Sequence, residues 1–415
     1  MVELLSPAGN LEKLRAALRF GADAVYLAGK SFGMRSAADN FTDEELAVAV
    51  DEVHAHGKKV YITVNTMPHG YEYPRLREYF AFLKPLAVDA LIVSDLGVFT
   101  LAKELLPEVE LHVSTQASIV SPEAALAWAA LGAKRLVLAR ELSLEEIRAI
   151  RAALPDEVEL EAFIHGSMCV SYSGRCMLSN QFTGRDANRG GCAQPCRWNY
   201  TIVEEKRPDE RLPVMENENG TFILSSRDLC MLRHVPELIE AGVRSFKIEG
   251  RMKSAYYTAV VTNAYRMAID AYLSDPLHYS FNEQLYREVE SVSHRAYATG
   301  FFFDDPKENP QLTENVGYIR EKAYFATVEK TGILPDGLVA ETDEGKLCRL
   351  LQRNKVSLGD KAELLTPGRC GIPFEIKELY SEDGAPILAA PHPKMAFFCR
   401  LPSEASEGDL IRAGE

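Results

Sequence analysis

A strand-then-helix rhythm running from residue 3 to residue 248 is the feature that most narrows what this chain can become. Short apolar runs rich in Val, Ile, Leu and Tyr are each followed by a stretch with apolar residues at three- and four-residue spacing, the pattern of parallel βα units. Candidate strands are residues 3–5, 24–27, 59–64, 90–93, 110–113, 135–138, 159–164 and 245–248. A weak internal repeat supports the reading. Gly21-Ala22-Asp23-Ala24-Val25-Tyr26-Leu27, Gly132-Ala133-Lys134-Arg135-Leu136-Val137-Leu138 and Gly242-Val243-Arg244-Ser245-Phe246-Lys247-Ile248 share one design. In each, a glycine ends a helix and an apolar strand follows a short loop. Eight such units predict an α/β fold closed as a TIM-like (β/α)8 barrel, with an open doubly wound sheet as the alternative. No GxGxxG loop opens the first unit, which disfavours a dinucleotide-binding fold.

Two departures from the rhythm mark additions to the barrel. Residues 165–233 lie between the seventh and last candidate strands and are too long for an ordinary βα connection. After helical segments at 255–273 and 281–292, the pattern changes near residue 315 to short strands and turns, with strand-like runs at 323–328, 337–340, 361–365, 374–379 and 395–401. The expected organisation is therefore a barrel domain over 1–300 carrying a cysteine-rich insertion at 165–233, and a small all-β barrel or sandwich over 315–415. The first residues lack a basic and apolar leader pattern, and no long apolar span interrupts the chain, so a cytoplasmic protein without membrane contact is expected. A net charge of −14 argues against non-specific coating of nucleic acid but leaves room for a local basic patch.

Five of the eight cysteines fall in the insertion: Cys169, Cys176, Cys192, Cys196 and Cys230. Such clustering in a long chain of this kind points to metal rather than to a disulfide framework. Converging thiolates suit zinc or an iron–sulfur cluster, and the spacing lacks the CxxC knuckles of structural zinc. Buried unligated thiols are the remaining reading. Five candidates compete for four places. Cys348, Cys370 and Cys399, in the β-rich region, read as buried small side chains.

The segment Glu161-Ala162-Phe163-Ile164-His165-Gly166-Ser167-Met168-Cys169, continuing through Tyr172, Gly174 and Cys176 to Ser179, resembles the signature of a collagenase-like peptidase family of unknown catalytic type, number 32. Leu5-Ser6-Pro7-Ala8-Gly9, the block from Gly184 to Arg197, Ser226-Arg227-Asp228-Leu229-Cys230 and Lys247-Ile248-Glu249-Gly250-Arg251-Met252 extend the resemblance over roughly the barrel domain. Despite the peptidase name, the resemblance implies oxygen-independent hydroxylases that carry a 4Fe-4S cluster and act on tRNA wobble uridine, on a ribosomal RNA cytidine or on quinone precursors. The single-chain tRNA branch is the most similar, which implies formation of 5-hydroxyuridine in the anticodon loop with prephenate as the hydroxyl source. It also implies Cys169, Cys176, Cys192 and Cys230 as cluster ligands, with Cys196 in reserve.

Residues just after barrel strands face the reactive end of such a fold. That rule nominates Asn65, Ser94, Asp95, Gln116, Arg140, Glu141, His165, Glu249 and Arg251. His165, Glu249 and Arg251 are the candidate catalytic residues, His165 as a proton relay and Glu249 as a base; structural ion pairs and a satisfied histidine are the bland alternatives. A dicarboxylate such as prephenate would call on planar, permanently charged donors, which selects Arg140, Arg227 and Arg251. Arg175, Arg185, Arg189 and Arg197 make the insertion locally basic against Asp186 and are the candidate RNA-binding residues, with Tyr172, Phe182 and Trp198 available to stack a splayed base or to pack in a core. Rival functions are a protease, for which neither HExxH nor GxSxG is present, and a non-enzymatic RNA-binding or assembly protein. A partner subunit or homo-oligomer stays undetermined by the sequence.

Overall fold

Eight parallel strands close on themselves: β1 (Glu3–Pro7), β2 (Ala24–Leu27), β3 (Lys59–Val64), β4 (Ala90–Val93), β5 (Glu110–Val113), β6 (Arg135–Val137), β7 (Glu159–Ser167) and β8 (Val243–Ile248). Each pairs with the next, and β8 pairs in parallel with both β7 (Phe246 opposite Ala162) and β1 (Glu3 opposite Ser245), so the sheet has no open side and the doubly wound alternative is excluded. The structure is a computed structural model that describes residues 2–34, 39–168, 178–185, 187, 190–195, 198, 202–204, 207–212, 216–217, 220–221, 227–303, 319, 322–329 and 334–414. Among the described residues no helix is long and apolar enough to cross a membrane.

Local chemistry explains the helix–strand alternation. The repeat glycines Gly21, Gly132 and Gly242 all sit at positive φ, 99°, 103° and 87°, which lets each helix stop and the next strand begin at once. Helix starts are capped: Thr42 with Glu45 before Asp43–Ala55, and Ser143 with Glu146 before Leu144–Ala153, each form a reciprocal capping box. Asp95, nominated from sequence as a mouth residue, accepts from the Val98 backbone N–H and from the Tyr73 hydroxyl and so serves as the N-cap of Leu96–Leu105.

Inside the barrel, apolar packing of Leu5, Ala24, Tyr26, Tyr61, Ala90 and Ile92 adjoins a buried charge network. Arg135 on β6 reaches Glu3 on β1 and Glu159 on β7, both at 2.6 Å, and Glu161 on β7 at 3.4 Å. Lys247 on β8 meets Glu161 at 2.6 Å, and its ammonium lies 4.4 Å from the centre of the Tyr26 ring. The Tyr61 hydroxyl and Ser245 hydroxyl both donate to Glu3, at 2.6 and 2.8 Å. Burial alone would raise the Glu161 pKa, but the Lys247 and Arg135 charges more than offset it and hold the carboxyl below its ordinary value.

A second compact unit comprises residues 15–21, 254–293 and 320–415. It holds the helices Ala255–Ser274 and Glu283–Glu290 and an antiparallel sheet ordered Ile372–Glu375, Lys361–Leu365, Leu410–Ala413, Tyr324–Val328, Gly345–Gln352, Ala396–Leu401, Leu379–Ser381. The all-β region is therefore present, with three changes from the sequence reading. Residues 337–340 form a turn and bend in which Gly337 at φ 87° breaks the extended path. Residues 374–379 divide between two strands. Gly345–Gln352 and Leu410–Ala413 are additional strands. Arg412 explains why the last of these was hidden: its guanidinium is 2% exposed and bonded to Glu288, Ser291 and Glu363, so a strand residue that looks solvent-facing is a core residue.

The barrel network yields a stability prediction. Glu161→Ala leaves Lys247 and Arg135 short of a buried counter-charge and is expected to lower stability by about 3–5 kcal/mol. The pair Glu161→Gln with Lys247→Met is expected to cost less than either single change, measured by urea unfolding. Because the folded-state pKa of Glu161 is depressed, its contribution is complete above the ordinary 4.5 and is lost as the pH falls through the folded value. The wild type should therefore lose more stability on acidification than the double variant.

Candidate active site

β7 does not stop at the barrel rim. Its last residues pair antiparallel with the short strand Asp228–Cys230, with Ser167 opposite Asp228, Gly166 opposite Leu229 and His165 opposite Cys230. The two ends of the cysteine insertion are thereby zipped together at the carboxyl end of the barrel, where β/α barrels gather reactive groups. The zipper is itself clamped: Asp228, 2% exposed, receives the Arg295 guanidinium at 2.7 and 3.0 Å and the Arg295 backbone N–H at 3.1 Å. Burial works to raise the Asp228 pKa, and the Arg295 charge and hydrogen bonds overcome it and keep it depressed.

His165 lies beneath this zipper, 1% exposed, with its ring centre 5.2 Å from that of Tyr297 and its Nε2 3.4 Å from the Tyr297 hydroxyl. Tyr297 in turn stacks on His294, 4.3 Å between centres and 8° from parallel. Burial pushes the His165 pKa down to about 3, so the imidazole is neutral at neutral pH. Glu249 follows β8 half-buried, its backbone N–H donating to the His165 carbonyl at 2.9 Å.

The remaining strand ends form a linked rim. Arg251 is 4% exposed and spends guanidinium hydrogens on the Met34 carbonyl and, at 3.4 Å, on the Thr63 hydroxyl. The Met34 N–H donates to Asn65 Oδ1 at 3.1 Å, and Asn65 Nδ2 reaches the Ser114 hydroxyl at 3.3 Å. Arg140 donates to the Ser167 carbonyl at 2.9 Å and lies 5.3 Å from the centre of the Phe163 ring. Arg227, half-buried, has a buried Nε with no hydrogen-bond partner, and so does one Glu141 carboxylate oxygen. Arg140, bonded to Ser167, and Arg227, next to Asp228 in the chain, thus adjoin the zipper, whereas Arg251, after β8, ties the loop after β2 to Thr63 on β3.

Of the four candidate cluster ligands, Cys192 and Cys230 are described. Cys230 is buried, and half-buried Cys192 accepts the Gln194 backbone N–H at 3.4 Å, the kind of N–H···S bond that tunes a cluster-bound sulfur. Cys169 and Cys176, together with Cys196, Tyr172, Arg175, Arg189 and Arg197, lie outside the described residues. Among the described residues no three of His, Cys, Asp or Glu converge on a metal. The donor chemistry present, one cysteine in the middle of the insertion and one on its return strand, fits a thiolate-bound group. Arg185 is exposed, as are Phe182 at 54% and Trp198 at 41%, so these two aromatics are surface groups rather than core ones. Sequence reasoning missed Arg295, His294 and Tyr297, which no motif marks.

Comparison with known proteins adds the family context. The profile of peptidase family U32 matches residues 9–312, and that of the family's C-terminal domain matches residues 336–412. A Bacillus subtilis tRNA hydroxylation protein is 38% identical over 414 residues, covering 100% of this chain and 95% of its own. An Escherichia coli tRNA hydroxylation protein is 36% identical over 432 residues, covering 94% and 91%. An Escherichia coli 23S rRNA 5-hydroxycytidine synthase is 42% identical over 274 residues, covering 66% of this chain and 40% of its own.

The closeness of β7 to the loop after β8 can be tested at Gly166. It sits at φ 109°, and a Cβ there would come within 2.4 Å of the Glu249 carbonyl oxygen. Gly166→Ala combines a strained backbone with a collision against another backbone. It is expected to cost about 1–3 kcal/mol in thermal unfolding. Gly57→Ala has φ 65° but open space around it and should cost less, which separates collision from conformation.

Proposed function

We propose that this chain, which belongs to peptidase family U32, is an RNA-hydroxylating enzyme that converts the wobble uridine of a tRNA anticodon loop to 5-hydroxyuridine. The observation that carries the reading is the end-to-end likeness to proteins named for tRNA hydroxylation, which covers the barrel, the insertion and the C-terminal region alike. The ribosomal RNA relative, matched over two-thirds of this chain, supports hydroxylation of a pyrimidine as the shared chemistry.

Replacing a ring C–H by C–OH is a two-electron oxidation that needs an oxygen source and an electron acceptor; in this reading prephenate provides the hydroxyl, and an external two-electron acceptor takes the electrons, the ring proton leaving to solvent. Cys169, Cys176, Cys192 and Cys230 would hold a 4Fe-4S cluster, with Cys196 as the spare. When bound, such a cluster supplies one-electron chemistry at the barrel mouth. The protein's own groups bind and orient. Arg227, with its unpartnered Nε, and Arg140 offer donors to a dicarboxylate beside the zipper, while Arg251 fixes the rim on which the base would rest. Neutral His165 offers a hydrogen bond from a water-free position rather than a titrating proton. Exposed Arg185, Phe182 and Trp198 suit contact with phosphate and with unstacked bases, and Arg175, Arg189 and Arg197 would add to the basic character of the same insertion.

Two measurements test this. Nucleoside mass spectrometry of tRNA from a deletion strain without a paralogue should show loss of 5-hydroxyuridine derivatives, restored by the wild-type gene; unchanged tRNA would end the proposal. Anaerobically purified protein should contain iron and acid-labile sulfide. Serine replacement of Cys169, Cys176, Cys192 or Cys230 should each abolish iron and modification together, whereas Cys348→Ser should not. Retention of iron by Cys196→Ser would fix the spare thiol.

A further inference from the structure

Gln116 occupies the one-turn helix Thr115–Ala117 directly after β5, at the same end of the barrel as the zipper and Arg251. It is 6% exposed, and its side-chain Nε2 and Oε1 are both buried without a hydrogen-bond partner. An amide left unmade at both ends is rare in a folded interior, because donor and acceptor have each lost water and gained nothing. Its surroundings hold it there. Thr115 Oγ1 donates to the Leu138 carbonyl at 2.9 Å, the Gln116 N–H donates to the Ser114 hydroxyl at 3.4 Å, and Ser118 turns the chain at φ 54°. Ser114 and Asn65 are already committed to each other and to Met34, which leaves the buried Gln116 amide as the unmatched donor–acceptor pair after β5.

The chemistry of that pair selects its ligand. A carboxylate would take only the N–H side and be repelled by Oε1. A planar ligand edge with a donor beside an acceptor uses both, as does the Watson–Crick edge of a pyrimidine: N3–H and a ring carbonyl in uracil, or N3 and the amino group in cytosine after rotation of the amide. Enzymes that act on an extruded base read it by such hydrogen bonds. We infer that Gln116 is the residue that recognises the Watson–Crick edge of the target pyrimidine, with Asn65 and Ser114 as positioning residues behind it. This rests on the RNA-hydroxylase reading and names the contact that reading requires.

The test uses the full chain, prepared anaerobically, and two variants, Gln116→Leu and the isosteric Gln116→Glu. Binding is measured by fluorescence anisotropy with an anticodon stem-loop carrying uridine, or an abasic site, at the target position. Modification is measured as hydroxylated nucleoside in a complemented deletion strain, and folding as the melting temperature. Gln116→Leu is expected to melt at or above the wild-type temperature while its preference for uridine over the abasic loop falls by about 10- to 100-fold and modification falls with it. Wild-type preference and modification in Gln116→Leu would overturn the inference. Should Gln116→Leu fail to fold, Gln116→Glu decides: lost preference at an unchanged melting temperature upholds it, and retained preference overturns it. If the wild-type gene restores no hydroxylated nucleoside, the functional reading falls; if it does and the variants match it, only the role of Gln116 falls.

Discussion

A carboxylate buried between two cations sets the frame for everything at the barrel mouth. Glu161 has no solvent exposure and is ion-paired to both Lys247 and Arg135. Taking three charges out of water is costly, and the geometry must be good for their attraction to offset it. That demand falls on three strands at once, since Arg135 is on β6, Glu161 on β7 and Lys247 on β8, and Glu3 extends it to β1. The seam where the sheet closes is therefore held by a charge arrangement that works in a single register. An apolar seam would tolerate a slip; this one strands a charge.

The same strands then carry the site. Two residues beyond Glu161 is Phe163, whose ring faces Arg140, and two further is His165, paired opposite Cys230. Two residues beyond Lys247 is Glu249, and then Arg251, which ties the loop after β2 and the end of β3 into the rim. Fixing the register of β7 against β8 thus fixes where the cysteine insertion departs and returns. The buried Asp228–Arg295 pair repeats the device one layer higher, with the return strand of the insertion as the element held. Rigid support below a thiol-bearing loop is what a reactive centre requires.

Much of this could be read from the chain because it is encoded locally. Strand period, turn glycines and capping residues sit within a few positions of one another, and all eight barrel strands follow from them. β6 ends a residue early and β7 runs on to Ser167, since its tail acquires a partner from sixty residues away. The cysteine cluster and the strand-end residues were equally visible as residue types in a pattern. What stayed hidden depends on partners distant in sequence. Arg412 and Arg295 carry polar labels and become core residues only when Glu288, Glu363 or Asp228 arrives. Asp95 shows the converse, a strand-end acid whose position suggested chemistry and whose nearest donors make it a helix cap. Phe182 and Trp198 belong with them, because exposure of an aromatic is decided by what fails to cover it.

Buried charges in the middle of the barrel are paired, whereas several polar groups at its carboxyl end are unmatched. In the middle, each buried charge has a counter-charge, and Tyr61 and Ser245 complete the acceptors of Glu3. At the carboxyl end stand an amide with both atoms unmatched on Gln116, a lone carboxylate oxygen on Glu141 and a lone guanidinium Nε on Arg227. A protein built only for stability would remove such groups, since an apolar side chain of similar shape is the cheaper occupant. Unmatched polar atoms also occur elsewhere among the described residues, His112 Nδ1 on β5 included, and the three at the carboxyl end are the ones that a molecule arriving at the mouth would meet. These groups support the proposed site at the rim from two sides: Gln116 after β5 and Glu141 after β6 are remote in sequence from the insertion, whereas Arg227 belongs to it.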